Sequence, residues 1–304
     1  KAKEVGFRAR SAFKLLQLEE EFDLFSGVER AVDLCAAPGS WSQVLASRIY
    51  GTAEDDKQGQ TDQADTEMKC VNEREKIVAV DLQAMAPIGG VRQIQGDITT
   101  METAESIIAH FGGLKADIVI CDGAPDVTGL HDIDEFVQAQ LLLAALTITT
   151  HMLRENGTFV AKIFRGRDVS LLYSQYRMFF DLVTVAKPRS SRNSSIEAFI
   201  VCQGFRLPKD CGSLKLENPR QTKLSAMVVE PPIVLPDEDD EKLMPGNAIM
   251  VPFVACGDLK GFDSDMSYPL ELDRDGAAYK LREATQMPIR PPYQTHLKKR
   301  ALET

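Results

Sequence analysis

The chain lacks the residue spacings that mark most metal sites. Its six cysteines include no C-x-x-C pair, and its four histidines are not spaced as ligands. We therefore predict no structural zinc and no other metal site. Cys35, Cys121 and Cys202 lie in apolar runs and are predicted to be small core residues, which fits a reducing compartment and a cytoplasmic location.

Long apolar stretches and a secretory signal are missing as well. No run approaches the roughly 18 apolar residues of a membrane-spanning helix, so we do not expect insertion into a membrane. Hydrophobic residues make up 44% and charged residues 26% of the 304 residues, as in ordinary globular proteins. This length accommodates one large domain, or one domain with an extension.

An excess of positive charge is also absent. The formal net charge is −10, which argues against a general nucleic-acid coat protein. The charges are nevertheless unevenly distributed, because basic residues concentrate in three segments, namely 1–14, 162–167 and 187–192. One face is therefore expected to bind a polyanion locally, and a solvated surface is the alternative for any single cluster.

Apolar runs alternate with helix-like segments along the first 204 residues. The predicted strands are 30–35, 77–82, 92–95, 117–122, 158–164 and 195–202. The predicted helices are 11–25, with Ser11 as its cap, then 41–50, 103–111, 134–153 and 170–180. The alternation predicts an α/β fold with a mainly parallel sheet and helices on both faces. Ligands bind such sheets at the carboxyl ends of the strands, and Asp33, Asp81, Asp97 and Asp122 all fall near such ends.

Two segments depart from this pattern. Residues 51–76 are polar and acidic, and we predict a loop insertion there. Residues 205–304 contain prolines, an acidic run and a basic end, and we predict an irregular extension without a core of its own. The predicted division is therefore a domain at 1–204 and an irregular extension at 205–304.

The first predicted strand leads into a loop of small residues, AAPGS, and then into a helix. Gly39 allows the backbone to approach a ligand closely, and the start of the helix offers free N–H groups to a carboxylate or phosphate. The loop lacks G-x-G-x-x-G, which disfavours a dinucleotide. An ordinary tight turn is the alternative.

Aspartates end the next two predicted strands. Asp81 is suited to binding both hydroxyls of a ribose, and its distance from Gly39 is close to the usual ~20 residues once the acidic insertion is discounted. Asp97 is placed to accept a hydrogen bond from an adenine amino group. The set fits S-adenosylmethionine as well as a dinucleotide, and a turn or helix cap is the alternative for each aspartate.

Four charged residues form the strongest chemical signal: Lys14, Asp122, Lys162 and Glu197. Three of them interrupt apolar strand-like runs, where a charge is costly unless it is paired or used. Methyl transfer to a hydroxyl needs an oriented oxygen and the removal of one proton. Hydride transfer does not call for two lysines and two carboxylates. Lys162 would orient the hydroxyl or accept its proton, and the other three would position and balance it. A buried structural ion-pair network is the alternative.

The segment KPRSSRNSSIEAF, residues 187–199, places two arginines and four serines just before Glu197. Arginine and hydroxyl groups are suited to binding phosphates. A solvated loop is the alternative.

Several of these segments together resemble the FtsJ/RrmJ family of ribose 2′-O-methyltransferases. They are RARSAFKL, AVDLCAAPGSWSQVL, VAVDLQAM, IQGDI, VICDGAPDVTG, FVAKIFRG and KPRSSRNSSIEAF, which span residues 5 to about 204. Within the family the chain is most similar to the eukaryotic cytosolic tRNA branch, and the later segments VPFVACGDLKGFDSDMSYPL and PPYQ share this similarity.

The resemblance implies a Rossmann-like methyltransferase fold with a seven-stranded sheet whose last strand is antiparallel. It implies a catalytic tetrad of Lys14, Asp122, Lys162 and Glu197, with Lys162 as the proton acceptor. It also implies that S-adenosylmethionine contacts a set of five residues, namely Gly39, Trp41, Asp81, Asp97 and Asp122.

The same resemblance implies the substrate and the partners. Methylation of tRNA is expected in the anticodon loop, at the wobble nucleotide with a WD-repeat partner and at the nucleotide two before it with a helical-repeat partner. The alternatives are the same chemistry on ribosomal RNA or an mRNA cap, a non-catalytic RNA-binding subunit, and a small-molecule methyltransferase.

Overall fold

The alternating segments form a single mixed sheet with helices on both faces. A computed structural model describes residues 5–51, 75–125, 131–166, 169–208 and 251–259. The helices are α1 (Ala12–Phe22), α2 (Ser40–Tyr50), α3 (Met101–His110), α4 (His131–Met152) and α5 (Val169–Arg177). The strands are β1 (Ala31–Leu34), β2 (Ile77–Asp81), β3 (Val91–Gln95), β4 (Ala116–Cys121), β5 (Leu153–Phe164), β6 (Phe180–Pro188), β7 (Glu197–Phe205) and β8 (Phe253–Cys256). Within these ranges no helix is both long enough and apolar enough to cross a bilayer.

The strand order is β3-β2-β1-β4-β5-β7-β6-β8. Strands β1 to β5 pair in parallel, whereas β7 runs antiparallel to both β5 and β6. The predicted mainly parallel α/β sheet is confirmed. Strands β1 and β4 are buried along their whole length because helices cover both faces, which explains their continuous apolar sequences.

Two apolar layers lie on opposite faces of the sheet. Helices α1 and α2 contribute one layer, in which Leu15, Leu18 and Leu45 are fully buried. Helices α3, α4 and α5 contribute the other, which includes Ile107 and Tyr176. Residues 12, 15 and 18 of α1 recur every three positions, so one stripe of this helix faces the sheet.

Within the described ranges the sheet has eight strands, and the expected count of seven is therefore corrected. Strand β8 comes from the segment after residue 204, where no core was expected, and it pairs in parallel with β6. Strand β7 also extends one residue past the predicted domain end, to Phe205. Strand β6 was not among the strands predicted from apolar runs, because polar residues such as Asp181, Thr184 and Lys187 interrupt it.

Ser11 has a different role from the predicted helix cap. It stands at the position before α1, but its side chain makes no capping hydrogen bond. Its hydroxyl instead lies 2.7 Å from the Ser40 hydroxyl, and its backbone oxygen accepts a hydrogen bond from Trp41 Nε1 at 2.9 Å. Ser11 therefore joins the start of α1 to the start of α2.

Two of the predicted segments lie mostly outside the described residues. The acidic insertion at 51–76 is described only at its two ends, and the extension at 205–304 only at 205–208 and 251–259.

Candidate active site

The sheet topology brings the predicted charged residues to one edge. Parallel pairing of Cys121 with Ala161 places the following residues, Asp122 and Lys162, side by side at the carboxyl ends of β4 and β5. Glu197 is the first residue of β7 and pairs with Phe164. Because β7 is antiparallel, its start lies at the same edge as the ends of the parallel strands.

Lys162 and Asp122 form the first of two ion pairs. Lys162 Nζ lies 3.0 Å from Asp122 Oδ1 and donates a hydrogen bond to the Asp122 backbone oxygen at 2.7 Å. The hydrogen bond is directed at the carbonyl, so the contact with the carboxylate is electrostatic. The Lys162 backbone oxygen accepts a hydrogen bond from the buried Gln138 side chain at 2.8 Å, which fixes this part of β5 against α4.

Lys14 and Glu197 form the second pair. Lys14 Nζ lies 2.5 Å from Glu197 Oε1, and the buried Ser191 hydroxyl donates to the same oxygen at 2.7 Å. Burial by itself raises the pKa of Glu197, but attraction to Lys14, the two hydrogen bonds and the more distant Lys162 charge outweigh it and lower that pKa. Glu197 is therefore a carboxylate at neutral pH.

A cleft of about 810 Å³ opens at this edge of the sheet. We call it the strand-end cleft. It is lined by the loop after β1 and by side chains from the ends of the strands, among them Asp33, Asp81, Asp122 and Lys162. Lys14 and Glu197 do not line it. They lie instead in a separate pocket, described below, so the four charged residues stand between two cavities.

Gly39 lies between Pro38 and Ser40, which line the cleft. It precedes α2 with φ of 101°, a left-handed conformation that favours glycine. A Cβ atom there would lie 2.8 Å from Ile88 Cδ1 and 3.0 Å from Arg8 Nη1. The first N–H groups of α2 lack partners within the helix, so this helix end can receive the negative group of a ligand.

Arg8 joins the loop at Pro38, which lines the strand-end cleft, to the segment at Ala86 and Pro87. Its guanidinium donates to the Pro38 oxygen at 3.0 Å and to the Ala86 and Pro87 oxygens, each at 2.8 Å. Its backbone N–H donates to Gln43 Oε1 at 2.8 Å. The sequence placed Arg8 among the basic residues expected to face a polyanion, and its side chain faces backbone carbonyls instead.

Of the other residues predicted to contact the cofactor, Asp81 and Trp41 both line the cleft, but only Asp81 has its polar group there. Asp81 lines the cleft and accepts hydrogen bonds from the backbones of Ala37 and Gln83, each at 2.9 Å. Trp41 also lines it, but its side chain is buried and its N–H is used by Ser11. Trp41 therefore stabilises the loop by packing and by its hydrogen bond to Ser11, and its N–H is not available to a ligand.

Asp97 is not among the residues that line the strand-end cleft. Its Oδ1 accepts hydrogen bonds from the backbone and the hydroxyl of Thr99, both at 2.8 Å, which forms a turn before α3. The structure thus brings together Trp41, Asp81, Asp122 and Lys162 at the cleft, with Gly39 between the lining residues Pro38 and Ser40, and it leaves Asp97 outside that group. A contact between Asp97 and a cofactor stays a prediction.

Asp33 is a cleft residue that the predicted site set omits. Its side chain is fully buried, Oδ2 accepts a hydrogen bond from Ser42 at 2.6 Å, and Oδ1 has no hydrogen-bond partner within the described part of the chain. Burial raises the pKa of Asp33 to about 8, with Ser42 opposing and the Asp122 and Asp81 charges adding to the rise. Its place at the end of an apolar strand was the available signal.

Comparisons with known proteins agree with this geometry. Residues 7–205 match the family described as FtsJ-like methyltransferase. A tRNA (cytidine(32)/guanosine(34)-2′-O)-methyltransferase of Homo sapiens is 58% identical over 293 residues, which cover 96% of this chain and 79% of that protein. A protein of the same name from Schizosaccharomyces pombe is 50% identical over 303 residues, which cover 99% of this chain and 92% of that one.

Among solved structures, one from Plasmodium falciparum described as a ribosomal RNA methyltransferase has a TM-score of 0.52 and 23% identity. The match covers 66% of this chain and 98% of that one. This likeness supports the fold alone.

The fold and the cleft define a Rossmann-like methyltransferase that uses S-adenosylmethionine. With the match over residues 7–205, the chain belongs to the FtsJ-like methyltransferase family, as the sequence motifs predicted. The residues at the cleft fit this cofactor. The turn at Gly39 and the start of α2 suit its carboxylate, and Asp81 suits its ribose. Asp33 Oδ1 is a buried polar atom without a hydrogen-bond partner in the described part of the chain, and a bound ligand could supply one.

Proposed function

We propose that this chain transfers a methyl group to the ribose 2′-hydroxyl of tRNA, at anticodon-loop nucleotides 32 and 34, the positions in the names of the human and fission-yeast relatives. One observation carries the chemistry. Lys162 lines the strand-end cleft, and its charge also lowers the pKa of Glu197, which lines a separate pocket. A hydroxyl placed near Lys162 is therefore next to both the lysine and the cofactor.

Asp33, Gly39, Asp81 and Asp122 would hold S-adenosylmethionine through the contacts described above. When bound, this cofactor supplies an electrophilic methyl group on sulfur. The protein must then exclude water, align the hydroxyl oxygen with that methyl group and remove the hydroxyl proton.

In this proposal Lys162 reacts as the neutral amine, after its own proton has passed to solvent, and Nζ then receives the hydroxyl proton. The Asp122 carboxylate at 3.0 Å stabilises the ammonium that results, and the hydrogen bond to the Asp122 carbonyl fixes the position of the nitrogen. Glu197 adds a second negative charge near Lys162, and Lys14 together with Ser191 keeps Glu197 ionised in its largely buried position. The chain's own residues therefore orient and deprotonate the nucleophile.

The test is transfer of labelled methyl groups to unmodified tRNA, with the modified nucleotide mapped and Lys162→Ala as control. A 2′-O-methyl mark at nucleotide 32 or 34 that disappears in the control is expected. Marks on ribosomal RNA or an mRNA cap, but not on tRNA, would support the same chemistry on another RNA. Binding of RNA without any transfer would indicate a non-catalytic subunit, and transfer to small hydroxylated molecules alone would indicate the third alternative.

The proposal includes two auxiliary proteins and a cytoplasmic location. A WD-repeat protein would direct the chain to the wobble nucleotide, and a helical-repeat protein to the nucleotide two before it. The net charge of −10 supports this division of labour, since an acidic chain gains from a partner that holds much of the tRNA. The reducing compartment expected from the scattered cysteines supports the location.

The extension at 205–304 is the proposed docking segment, with 1–204 as the methyltransferase domain. A deletion after residue 204 would remove β8 and expose the edge of β6, so it would test two things at once. A deletion after Leu259 keeps β8 and is the sharper variant. Loss of binding to both auxiliary proteins in the second variant is expected, and retained binding to both would refute the docking role of residues 260–304.

A further inference from the structure

A second pocket lies beside the catalytic residues, on the side away from the strand-end cleft. We call it the basic pocket. Its volume is about 390 Å³, and it is lined by Arg10, Lys14, Ser191, Arg192, Ser194, Ser195 and Glu197. The two cavities share no lining residue, and the tetrad forms the wall between them.

The charges of the basic pocket favour an anion. Glu197 is the one carboxylate among its lining residues in the described part of the chain, and Lys14 already neutralises it at 2.5 Å. Two further cations, Arg10 and Arg192, remain exposed at the pocket. The pocket thus carries a net positive charge, and serine hydroxyls stand beside the arginines. Guanidinium and hydroxyl donors together are suited to phosphate oxygens.

The loop that carries this pocket is held in place before any ligand arrives. Gln17 of α1 accepts two hydrogen bonds from Ser190, from its backbone and its hydroxyl, each at 2.9 Å. The Arg189 backbone donates to Cys256 of β8 at 2.8 Å. Lys187 Nζ donates to the Ser195 backbone oxygen at 2.6 Å. A loop fixed on three sides loses little conformational freedom when it binds an anion.

The position of the pocket identifies which phosphate fits. The reacting 2′-hydroxyl must lie at Lys162, on the wall between the cavities. In RNA the carbon next to the one bearing this hydroxyl carries the 3′-phosphodiester. The 3′-linkage is therefore the negative group of the nucleotide next to the reacting hydroxyl, and Arg10 and Arg192 are the exposed cations of the pocket that Lys14 and Glu197 line.

We propose that the basic pocket binds the 3′-phosphodiester of the nucleotide that is methylated. This inference rests on the proposed function, because it takes an RNA ribose as the substrate. The pocket acts in substrate positioning. By holding the phosphate, Arg10, Arg192 and Ser194 set the ribose so that its 2′-hydroxyl faces Lys162.

The experiment pairs protein variants with altered RNA. Arg192→Ala and Arg10→Ala are compared with the wild type on tRNA that carries one uncharged methylphosphonate, either 3′ or 5′ of the target nucleotide. Arg92→Ala is the matched control, since Arg92 is an exposed arginine on β3 at the opposite edge of the sheet. Arg192→Lys tests whether charge alone restores binding. Methyl transfer and tRNA binding are both measured, with the auxiliary proteins present.

Each arginine variant is expected to raise the KM for tRNA about tenfold, as loss of one charged hydrogen bond predicts, and to leave the KM for S-adenosylmethionine unchanged. In each variant, the slope of the logarithm of the tRNA binding constant against the logarithm of the salt concentration should also decrease by the contribution of about one phosphate contact. A 3′-methylphosphonate should raise the KM of the wild-type protein for tRNA by a similar factor. On that RNA, Arg192→Ala should raise the KM no further. Arg92→Ala should behave as the wild type.

Three outcomes would overturn the inference. They are an unchanged KM for tRNA in both arginine variants, full additivity of Arg192→Ala with the 3′-methylphosphonate, and sensitivity to the 5′-linkage alone. A wild-type protein that does not methylate tRNA would refute the proposed function separately. The binding measurements with the 3′- and 5′-substituted RNA would then decide on the pocket.

Discussion

Lys14 Nζ lies 2.5 Å from Glu197 Oε1, and this contact joins α1 to β7, a strand that is antiparallel to both of its neighbours. Both side chains are largely buried, so removing either one leaves a charge without its partner, which typically costs ~3–5 kcal/mol. The pair therefore supports both the fold and the catalytic charge arrangement. Both residues line the basic pocket.

Ser191 is predicted to act as a positioning residue for Glu197. In Ser191→Ala, loss of the 2.7 Å hydrogen bond should raise the pKa of Glu197, because that bond favours the charged form. The acidic limb of the pH–rate profile should move to higher pH, and kcat should fall about tenfold. Ser191→Thr keeps the hydroxyl and serves as the matched control. An acidic limb that stays in place would contradict the prediction.

Lys162→Arg distinguishes proton acceptance from charge alone. Arginine retains the positive charge near Asp122 but does not accept a proton at working pH. We expect Lys162→Arg and Lys162→Ala both to lose at least about 100-fold in kcat, as loss of a general base predicts. Single-turnover methyl transfer to tRNA is the measurement, and thermal melting confirms folding. Substantial activity in Lys162→Arg would show that the lysine guides by charge.

Arg8 is predicted to support cofactor binding and not tRNA binding. Arg8→Ala removes three hydrogen bonds that hold the loop at Pro38 against the segment at Ala86 and Pro87. The KM for S-adenosylmethionine should rise about tenfold or more, with little change in the KM for tRNA. Arg10→Ala should show the reverse pattern, which makes the two variants controls for each other. Calorimetric titration with S-adenosylhomocysteine provides the binding constant directly.

Asp33 is predicted to make stability fall as pH rises. Its pKa is about 8 in the folded chain and near 3.8 when unfolded, so between these values the folded state holds a proton that the unfolded state has released. Stability should therefore decrease from about pH 5 to pH 8, by on the order of 3 kcal/mol from this group. Denaturant unfolding of Asp33→Asn without cofactor should show a flatter profile.

Glu197 provides the contrast, because its pKa is lowered on folding. Its contribution is present above its unfolded pKa, near 4.5, and is lost as the pH falls through the lower folded value. Glu197→Gln should thus alter the profile on the acidic side, outside the window of Asp33. Equal slopes for wild type and Asp33→Asn between pH 5 and 8 would refute the assignment to Asp33.

The sequence was sufficient for the fold class, the family and the types of residue at the site. Strands β1, β2 and β4 are short, continuous and apolar, so their pattern survives without tertiary information. Strand β6 was missed because its burial depends on neighbours that the local pattern does not show. The pairing of β8 with β6 was not evident from the sequence, because the two strands are far apart in the chain.

Asp122, Lys162 and Glu197 could be singled out from the sequence because they interrupt apolar runs, a local property, whereas Lys14 lies on α1 and gives no such signal. Which lysine pairs with which carboxylate, and which side chains face which cavity, was decided only by the tertiary structure. The antiparallel course of β7 brings Glu197 to Lys14, and the folding of the N-terminal loop over Gly39 directs Arg8 to backbone carbonyls. Contacts of this kind depend on sheet register and loop closure, which join residues that are distant in the chain.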